Sequence, residues 1–405
     1  VEMLNPEQRL AFDDVVRAIG GTGALFYVDG PGGSGKTFLY NALTYHCQAE
    51  GKIALACAYT GVAATLLPGG VTCHKLVNAP FILFSDSASR VGAETAEAAI
   101  LLAADLIIWD EASMTPKDLF GYADRVLRDL TGRPDTPFGG KVVVVGGDWR
   151  QILPIVVSRD PEAAVAASLR SCPLWEVFRR HTLLRNMRVD NAVGGERAAA
   201  HRQWLLDVGD GALPTRTDLA PHTVELPSDM CLPSDATTTD LVDWVYRDMD
   251  TYRQLAETHD ITADERASVD AYFRDRAILT PLNEHVDALN LEFLARLSGE
   301  ETVTRSRDSV VEDDVDERTY PTELLNKLNP PGCAPHELRL KKGAVVLLTH
   351  NIDRERGLCN GTRAIVVSVA LRVLVVRVLT GRAKGLTVEL PTTRQTMEGT
   401  KTKMP

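Results

Sequence analysis

The first 180 residues predict an α/β fold, a parallel sheet covered by helices on both faces and built around a phosphate-binding loop. Three observations carry that reading. Short apolar runs at 24–29, 53–58, 105–109 and 141–146 alternate with helix-compatible stretches near 6–18, 35–49 and 116–130. Such alternation buries a parallel sheet between two helical layers. The segment Gly30-Pro31-Gly32-Gly33-Ser34-Gly35-Lys36-Thr37 is a complete GxxxxGK[ST] motif. It follows Ala24-Leu25-Phe26-Tyr27-Val28 and precedes Phe38-Leu39-Tyr40-Asn41-Ala42-Leu43, the strand–loop–helix setting that the motif requires.

Each part of the loop has a chemical use. Gly30, Gly32, Gly33 and Gly35, with Ser34, let successive backbone N–H groups close around phosphate oxygens, and the helix N-terminus adds its positive end. Lys36 is expected to reach the β- and γ-phosphates of a bound ATP, and the Thr37 hydroxyl to ligate Mg²⁺. The next strand candidates end in groups that suit such a ligand, at the edge where an open parallel sheet places its site. Leu106-Ile107-Ile108-Trp109 leads to Asp110-Glu111. Asp110 is expected to complete the metal site with Thr37, and Glu111 to polarise the attacking water. Val142-Val143-Val144-Val145 leads to Gly146-Gly147-Asp148-Trp149-Arg150-Gln151. There Gln151 can bridge the γ-phosphate and its water, or be an ordinary strand-end glutamine.

Beyond residue 180 the pattern changes twice. Residues 210–238 are rich in Pro, Thr, Ser and Asp and read as an irregular connection. A second α/β segment follows, with helices expected at 239–257, 263–273 and 283–297 and a strand at Ala277-Ile278-Leu279. Past Asn329-Pro330-Pro331-Gly332, the runs 344–348 and 373–378 predict a small antiparallel β unit with Asn360-Gly361 as a turn. The domains expected are therefore 1–180, 181–330 and 331–392, with 393–405 as an exposed tail.

Composition sets limits. The chain has 405 residues, 44% of them hydrophobic, enough for two or three cores. No apolar run approaches the roughly 18 residues of a membrane span, so no membrane partner is expected. Seven dispersed cysteines without a CxxC pair argue for a reducing compartment and against structural zinc. The net charge of −11 excludes a uniformly basic surface, though not a local basic channel. Much of the acid sits in Val311–Glu317, read as a solvated loop.

Together, Leu4-Asn5-Pro6-Glu7-Gln8, the phosphate loop, Asp110-Glu111-Ala112-Ser113 and Gly147-Asp148-Trp149-Arg150-Gln151 resemble the motif series of superfamily-one DNA helicases. More narrowly, the chain is similar to the Pif-one family, of the RecD-like branch. Thr60-Gly61-Val62-Ala63-Ala64, Thr72-Cys73-His74, Thr136-Pro137-Phe138-Gly139-Gly140, Leu184-Arg185-Asn186-Met187-Arg188 and Leu358-Cys359-Asn360-Gly361-Thr362-Arg363 extend the likeness in family order. The wording of the later motifs resembles the eukaryotic branch that includes rolling-circle (Helitron-type) transposon helicases.

The resemblance implies two RecA-like domains with a small SH3-like β insertion. It also implies ATP-driven 5′→3′ movement on single-stranded DNA, unwinding at single-strand/duplex junctions, and work in repair, recombination or telomere maintenance. A nuclear setting is implied, with the mitochondrion as the alternative, and a monomer. Residue by residue, Gln8 matches a glutamine that reads the adenine edge, or else is a surface helix residue. Arg188 matches an arginine that reaches the γ-phosphate, a type worth about 10³–10⁵ in rate. Thr60, Gly61 and His74 match positions that hold the DNA backbone; His74 could equally be a packed or capping histidine. Arg363 is expected either to touch DNA or to pair with an acid.

The family continues past the β unit with a Gln-Gly motif and a last arginine motif, and this sequence shows neither. The second RecA-like domain is therefore expected to be incomplete. That leaves a second reading, an ATP-binding module derived from a helicase but without motor activity. A phosphate-loop kinase is the third, and it gives Gly147–Gln151 and Thr60–Ala64 no role.

Overall fold

The computed structural model describes residues 2–80, 83–84, 86–156, 158, 160–187, 195–216, 218, 223–258, 261–309, 321–327, 335–353, 356–370 and 372–393. Arg188, the acidic run 311–317 and all but the first residue of the expected tail 393–405 lie outside them. The chain forms two compact units, one up to Glu225 and one from Leu226 onward.

The first unit is built on six strands: β1 (Ala24–Asp29), β2 (Ala54–Ala58), β3 (Val71–Thr72), β4 (Leu106–Asp110), β5 (Val142–Gly147) and β6 (Arg179–Thr182). All neighbours pair in parallel, in the order β3-β2-β4-β5-β1-β6. Its central strands are apolar throughout because both faces are covered; every residue of β4 and β5 is buried. Alternation along each strand then divides the core in two. Phe26, Val28, Leu106, Ile108, Val142 and Val144 face one layer, which includes α1 (Pro6–Ala18) and α2 (Lys36–Ala49). Leu25, Tyr27, Ile107, Trp109, Val143 and Val145 face the other.

Between these elements lie the short helices α3 (Gly61–Thr65) and α4 (Cys73–Leu76), then α5 (Ala96–Ala103) and α6 (Lys117–Thr131). The last two pack on the second face through Ala98, Leu101, Leu119, Phe120 and Ala123. Two further helices, α7 (Pro161–Ala167) and α8 (Gly195–Gly209), follow β5 and β6. The strands β3 and β6 are additions to the pattern expected from sequence. Thr136–Gly140 closes the far end of the sheet. Phe138, Gly139 and Gly140 are successive left-handed residues, and Asp124 Oδ1 accepts the Phe138 N–H at 2.6 Å.

The second unit carries α9 (Thr238–Val245), α10 (Met249–Glu257), α11 (Ala263–Arg274) and α12 (Asn283–Arg296). The single helix expected at 239–257 is two, broken ahead of Asp248, which adopts φ 61°. Two strands, β7 (Thr302–Arg305) and β8 (Glu337–Leu340), form an antiparallel pair. Four more, β9 (Val345–Leu347), β10 (Arg363–Val369), β11 (Val373–Val378) and β12 (Thr387–Pro391), form an antiparallel meander. One face packs Ala364, Val376, Val378 and Val388 together. The other sets Ile365 against Val269, Tyr272 and Phe273 of α11.

Ala277-Ile278-Leu279, expected as a strand, pairs with nothing among the described residues, and Leu279 is 91% exposed. Among the described residues of this unit both sheets are antiparallel, so a three-residue run has no parallel sheet to join there.

Candidate functional site

Because every strand of the first unit runs the same way, every strand's C-terminal end opens on one rim. The loop after β1 holds Gly30 to Gly35, and α2 starts at Lys36 behind a left-handed Gly35 at φ 86°. Gly33 is likewise left-handed at φ 86°. Gly35 is required twice over, since a Cβ there would lie 2.3 Å from Gln8 Nε2. The Lys36 ammonium folds back onto the Gly30 carbonyl. Thr37 is half-buried in the first turn of α2.

Asp110 ends β4 and is 8% exposed. Burial lifts its carboxyl to about 6, with the neighbouring Glu111 charge adding to the rise, while the Glu111 N–H and the Lys36 charge oppose it. A cation beside Asp110 would remove that penalty, so the residues present fit Mg²⁺ held by Asp110 and Thr37. Glu111 follows in the left-handed region at φ 56°, a conformation that costs a non-glycine residue about 1–3 kcal/mol and clusters at functional sites. Beneath them the fully buried Tyr40 occupies space that only glycine leaves free: a Cβ at Gly146 would fall 1.6 Å from its hydroxyl.

Past β5, Asp148 is buried and accepts from Gln151 Nε2 at 3.2 Å. Trp149 stacks on Tyr27 of β1 with ring centroids 5.6 Å apart, and the Arg170 guanidinium lies 4.5 Å above its ring. Arg150 reaches Asp210 at 2.8 Å, Asp148 at 3.6 Å and Asp29 at 3.9 Å. The loop after β5 is thus packed on one side and ion-paired on the other, and exposed Gln151 is tied to Asp148 through its side chain and its N–H.

Gln8 is at the loop, but not as a surface residue. It is 2% exposed and completes a capping box with Asn5, accepting from Asn5 N at 3.0 Å while its own N–H donates to Asn5 Oδ1 at 2.9 Å. Its Nε2 donates to the Ser34 and Gly35 carbonyls at 3.2 and 3.4 Å. Both ends of the carboxamide therefore have protein partners. The segment after β6 also packs here: Leu183 N donates to Asp29 O at 2.8 Å, and the Leu184 and Arg185 N–H groups share Glu7 Oε2 at 2.8 and 3.2 Å. Arg188 follows directly, outside the described residues. Glu7, Asn186 and Met187 are loop neighbours that sequence reasoning missed; only the position of Leu184–Arg188 within a motif hinted at them.

Thr60, Gly61 and His74 follow β2 and β3 on the same rim, at the sheet edge. With strands about 4.8 Å apart, β3 is roughly 19 Å from β1. Thr60 caps α3 by accepting from Ala63 N at 3.2 Å, which leaves it and Gly61 half-buried. His74 lies in α4 beside Tyr59, ring centroids 6.1 Å apart, and burial holds its imidazole below the usual range. Arg363 is placed otherwise than expected. Its guanidinium donates to the carbonyls of Phe273, Arg274 and Arg276 at 2.7, 3.0 and 2.8 Å. It therefore closes the C-terminal end of α11.

A parallel sheet with a phosphate loop after its first strand, a buried acid at the end of β4 and a glutamine after β5 defines a phosphate-loop α/β protein of RecA type. The family model described as "PIF1-like helicase" matches residues 3–218, just over half of the 405. The chain belongs to that family. A second family model, "DNA helicase Pif1, 2B domain", matches residues 323–369.

Among curated relatives, the chain is 38% identical over 149 residues to "ATP-dependent DNA helicase PIF1" of Trypanosoma brucei brucei, covering 37% of this chain and 14% of that protein. It is 26% identical over 375 residues to the protein of the same name from Danio rerio, covering 90% of this chain and 47% of the relative. The chain thus spans less than half the length of these relatives. Solved structures share the fold. A Bacteroides Pif1 helicase in complex with ADP-AlF3 and ssDNA aligns at TM-score 0.57 and 20% identity over 94% of this chain and 73% of that one. The Candida albicans Pif1 helicase aligns at TM-score 0.58 and 19% identity over 96% and 79%.

Proposed function

We propose that the chain binds ATP with Mg²⁺ and couples its hydrolysis to 5′→3′ movement on single-stranded DNA and to duplex unwinding at junctions. The observation that carries this is the shared rim. The phosphate loop, Asp110-Glu111, Gln151, and the Thr60/His74 edge all sit at the C-terminal ends of one sheet, so a change at the loop is transmitted through strands a few residues long. Relatives whose printed names describe ATP-dependent DNA helicases, and a structural neighbour solved with ADP-AlF3 and ssDNA, support the same reading.

In this reading the loop amides and Lys36 hold the β- and γ-phosphates, Glu111 orients and deprotonates the attacking water, and Gln151 contacts water and γ-phosphate. Bound Mg²⁺ would supply charge neutralisation on the phosphate oxygens. Thr60 and Gly61 would grip the DNA backbone, with sequence-independent contacts whose salt slope is about −0.7 per phosphate neutralised. A monomer in the nucleus, acting in repair, recombination or telomere maintenance, is the biological setting we propose.

A second reading is favoured by one observation: among the described residues the second unit has no parallel sheet. The chain would then bind ATP without working as a motor. ATP hydrolysis with and without single-stranded DNA, beside Lys36→Ala, separates the two. DNA-stimulated turnover lost in the variant supports the motor. Tight ATP binding with negligible turnover in either condition supports the module.

A further inference from the structure

A peptide plane carries its N–H and C=O on opposite sides, so a loop that turns its amides toward an anion must turn its carbonyls the other way. Those carbonyls then need donors of their own. The phosphate loop satisfies every one. Gly30 O accepts from Lys36 Nζ, and Pro31 O from Ser34 N at 3.2 Å. Gly32 O accepts from Asn186 Nδ2 at 3.1 Å, and Gly33 O from Met187 N at 2.9 Å. Ser34 O and Gly35 O accept from Gln8 Nε2 at 3.2 and 3.4 Å. By contrast, the amides of Gly32, Gly33, Gly35, Lys36 and Thr37 have no acceptor among the described residues.

We propose that Asn186 is a positioning residue for the polyphosphate: together with the Met187 N–H and Gln8 it clamps the outer side of the loop, so that the open amides are already aimed before nucleotide arrives. The inference rests on the ATP-binding reading and adds to it residues that touch no phosphate. Asn186 suits the task. It is 8% exposed; the three residues before it are anchored by Leu183 N on Asp29 O and by the Leu184 and Arg185 amides on Glu7, and the residue after it by Met187 N on Gly33 O. Aspartate at 186 has the same shape but would set a carboxylate oxygen against Gly32 O, pushing that peptide to rotate its amide away from the site.

The test measures affinity for ATP, ADP and AMP on the full chain, well below each variant's unfolding midpoint. Wild type, Asn186→Asp, Asn186→Ala and Lys36→Ala are compared. The clamp predicts that Asn186→Asp weakens ATP and ADP by at least about tenfold and AMP by less than about threefold, with Asn186→Ala intermediate. A merely structural asparagine would lower the midpoint and leave the affinities of the folded protein unchanged; that result overturns the inference. Equal losses for all three nucleotides overturn it too, since they mark general distortion. If Asn186→Asp fails to fold, Asn186→Ala decides by the same two criteria. Wild type that binds ATP no better than Lys36→Ala defeats both the clamp and the proposed function, whereas ATP binding untouched by either Asn186 variant defeats the clamp alone.

Discussion

The two units bury their apolar surface by different rules. In the first, a sheet covered on both faces turns whole strands inward: all six residues of β5 are buried, and alternate residues serve two separate cores. In the second, the meander alternates; β12 reads exposed, buried, exposed, buried, exposed. Its helices are tied to the sheet partly by charge, through the Arg377–Asp270 pair at 2.8 Å and the Arg363 fork on the end of α11. Steric substitutions should therefore damage the first unit most, and polar ones the second. Each unit is therefore expected to break without the other.

The largest effect expected is Gly146→Val. Its Cβ would fall 1.6 Å from the Tyr40 hydroxyl inside a strand with no room to shift, so the first unit should lose about 4 kcal/mol or more. Thermal unfolding followed by limited proteolysis should show residues 2–225 cleaved first, with the second unit intact. Tyr40→Phe should restore part of the loss, because it removes the nearest clashing atom. Coincident loss of both units would show that they do not unfold separately.

Next in size is Arg377→Met. The guanidinium and carboxylate are 11% and 13% exposed, so removing one partner leaves the largely buried Asp270 carboxylate without its counter-charge. A loss of about 2–4 kcal/mol confined to the second unit is expected. The double replacement Arg377→Met with Asp270→Leu should recover much of it. No recovery in a double-mutant cycle would show the pair to be a surface-like contact, and the contrast between the units would weaken.

What was legible in the sequence follows the same division. Central strands announce themselves because burial on both faces demands unbroken apolar runs, and Gly30–Thr37, Asp110 and Gln151 are marked by position after those runs. Edge strands obey no such demand. Arg179-Arg180-His181-Thr182 became β6 by pairing with β1, with nothing in its composition to suggest it. Side-chain roles that depend on tertiary meeting were also hidden. Asn186 reaches the loop across 154 residues of chain, and Arg363 reaches its carbonyls across about 90. In the second unit, Ala277–Leu279 had a strand's composition without a neighbour, and a helix pattern over 239–257 concealed the break before Asp248.

Arg363→Met sharpens the comparison at a smaller scale. Three carbonyls lose their charged donor, so the second unit should lose about 1–3 kcal/mol while ATP binding in the first is unchanged. If Arg363 instead held DNA, the salt slope of single-strand binding would shift by about 0.7 and the unfolding midpoint would hold. One titration series and one melt decide between them.

The smallest effect concerns His74, whose imidazole is disfavoured in its charged form by burial. Its imidazole is held below the ordinary value, so it is neutral at pH 7. Below pH 6.5 the unfolded chain takes up a proton that the folded site resists. Stability of the first unit should therefore fall as pH drops from 6.5 toward the lower folded value, and level off beneath it. His74→Gln should flatten that part of the profile and leave the second unit's pH dependence alone. A neutral ring also releases no counterion from DNA, so the same variant should weaken single-strand binding, if at all, without altering its salt slope. A slope that fell by about 0.7 would mean that DNA draws a proton onto His74, and that the edge beyond β3 works by charge after all.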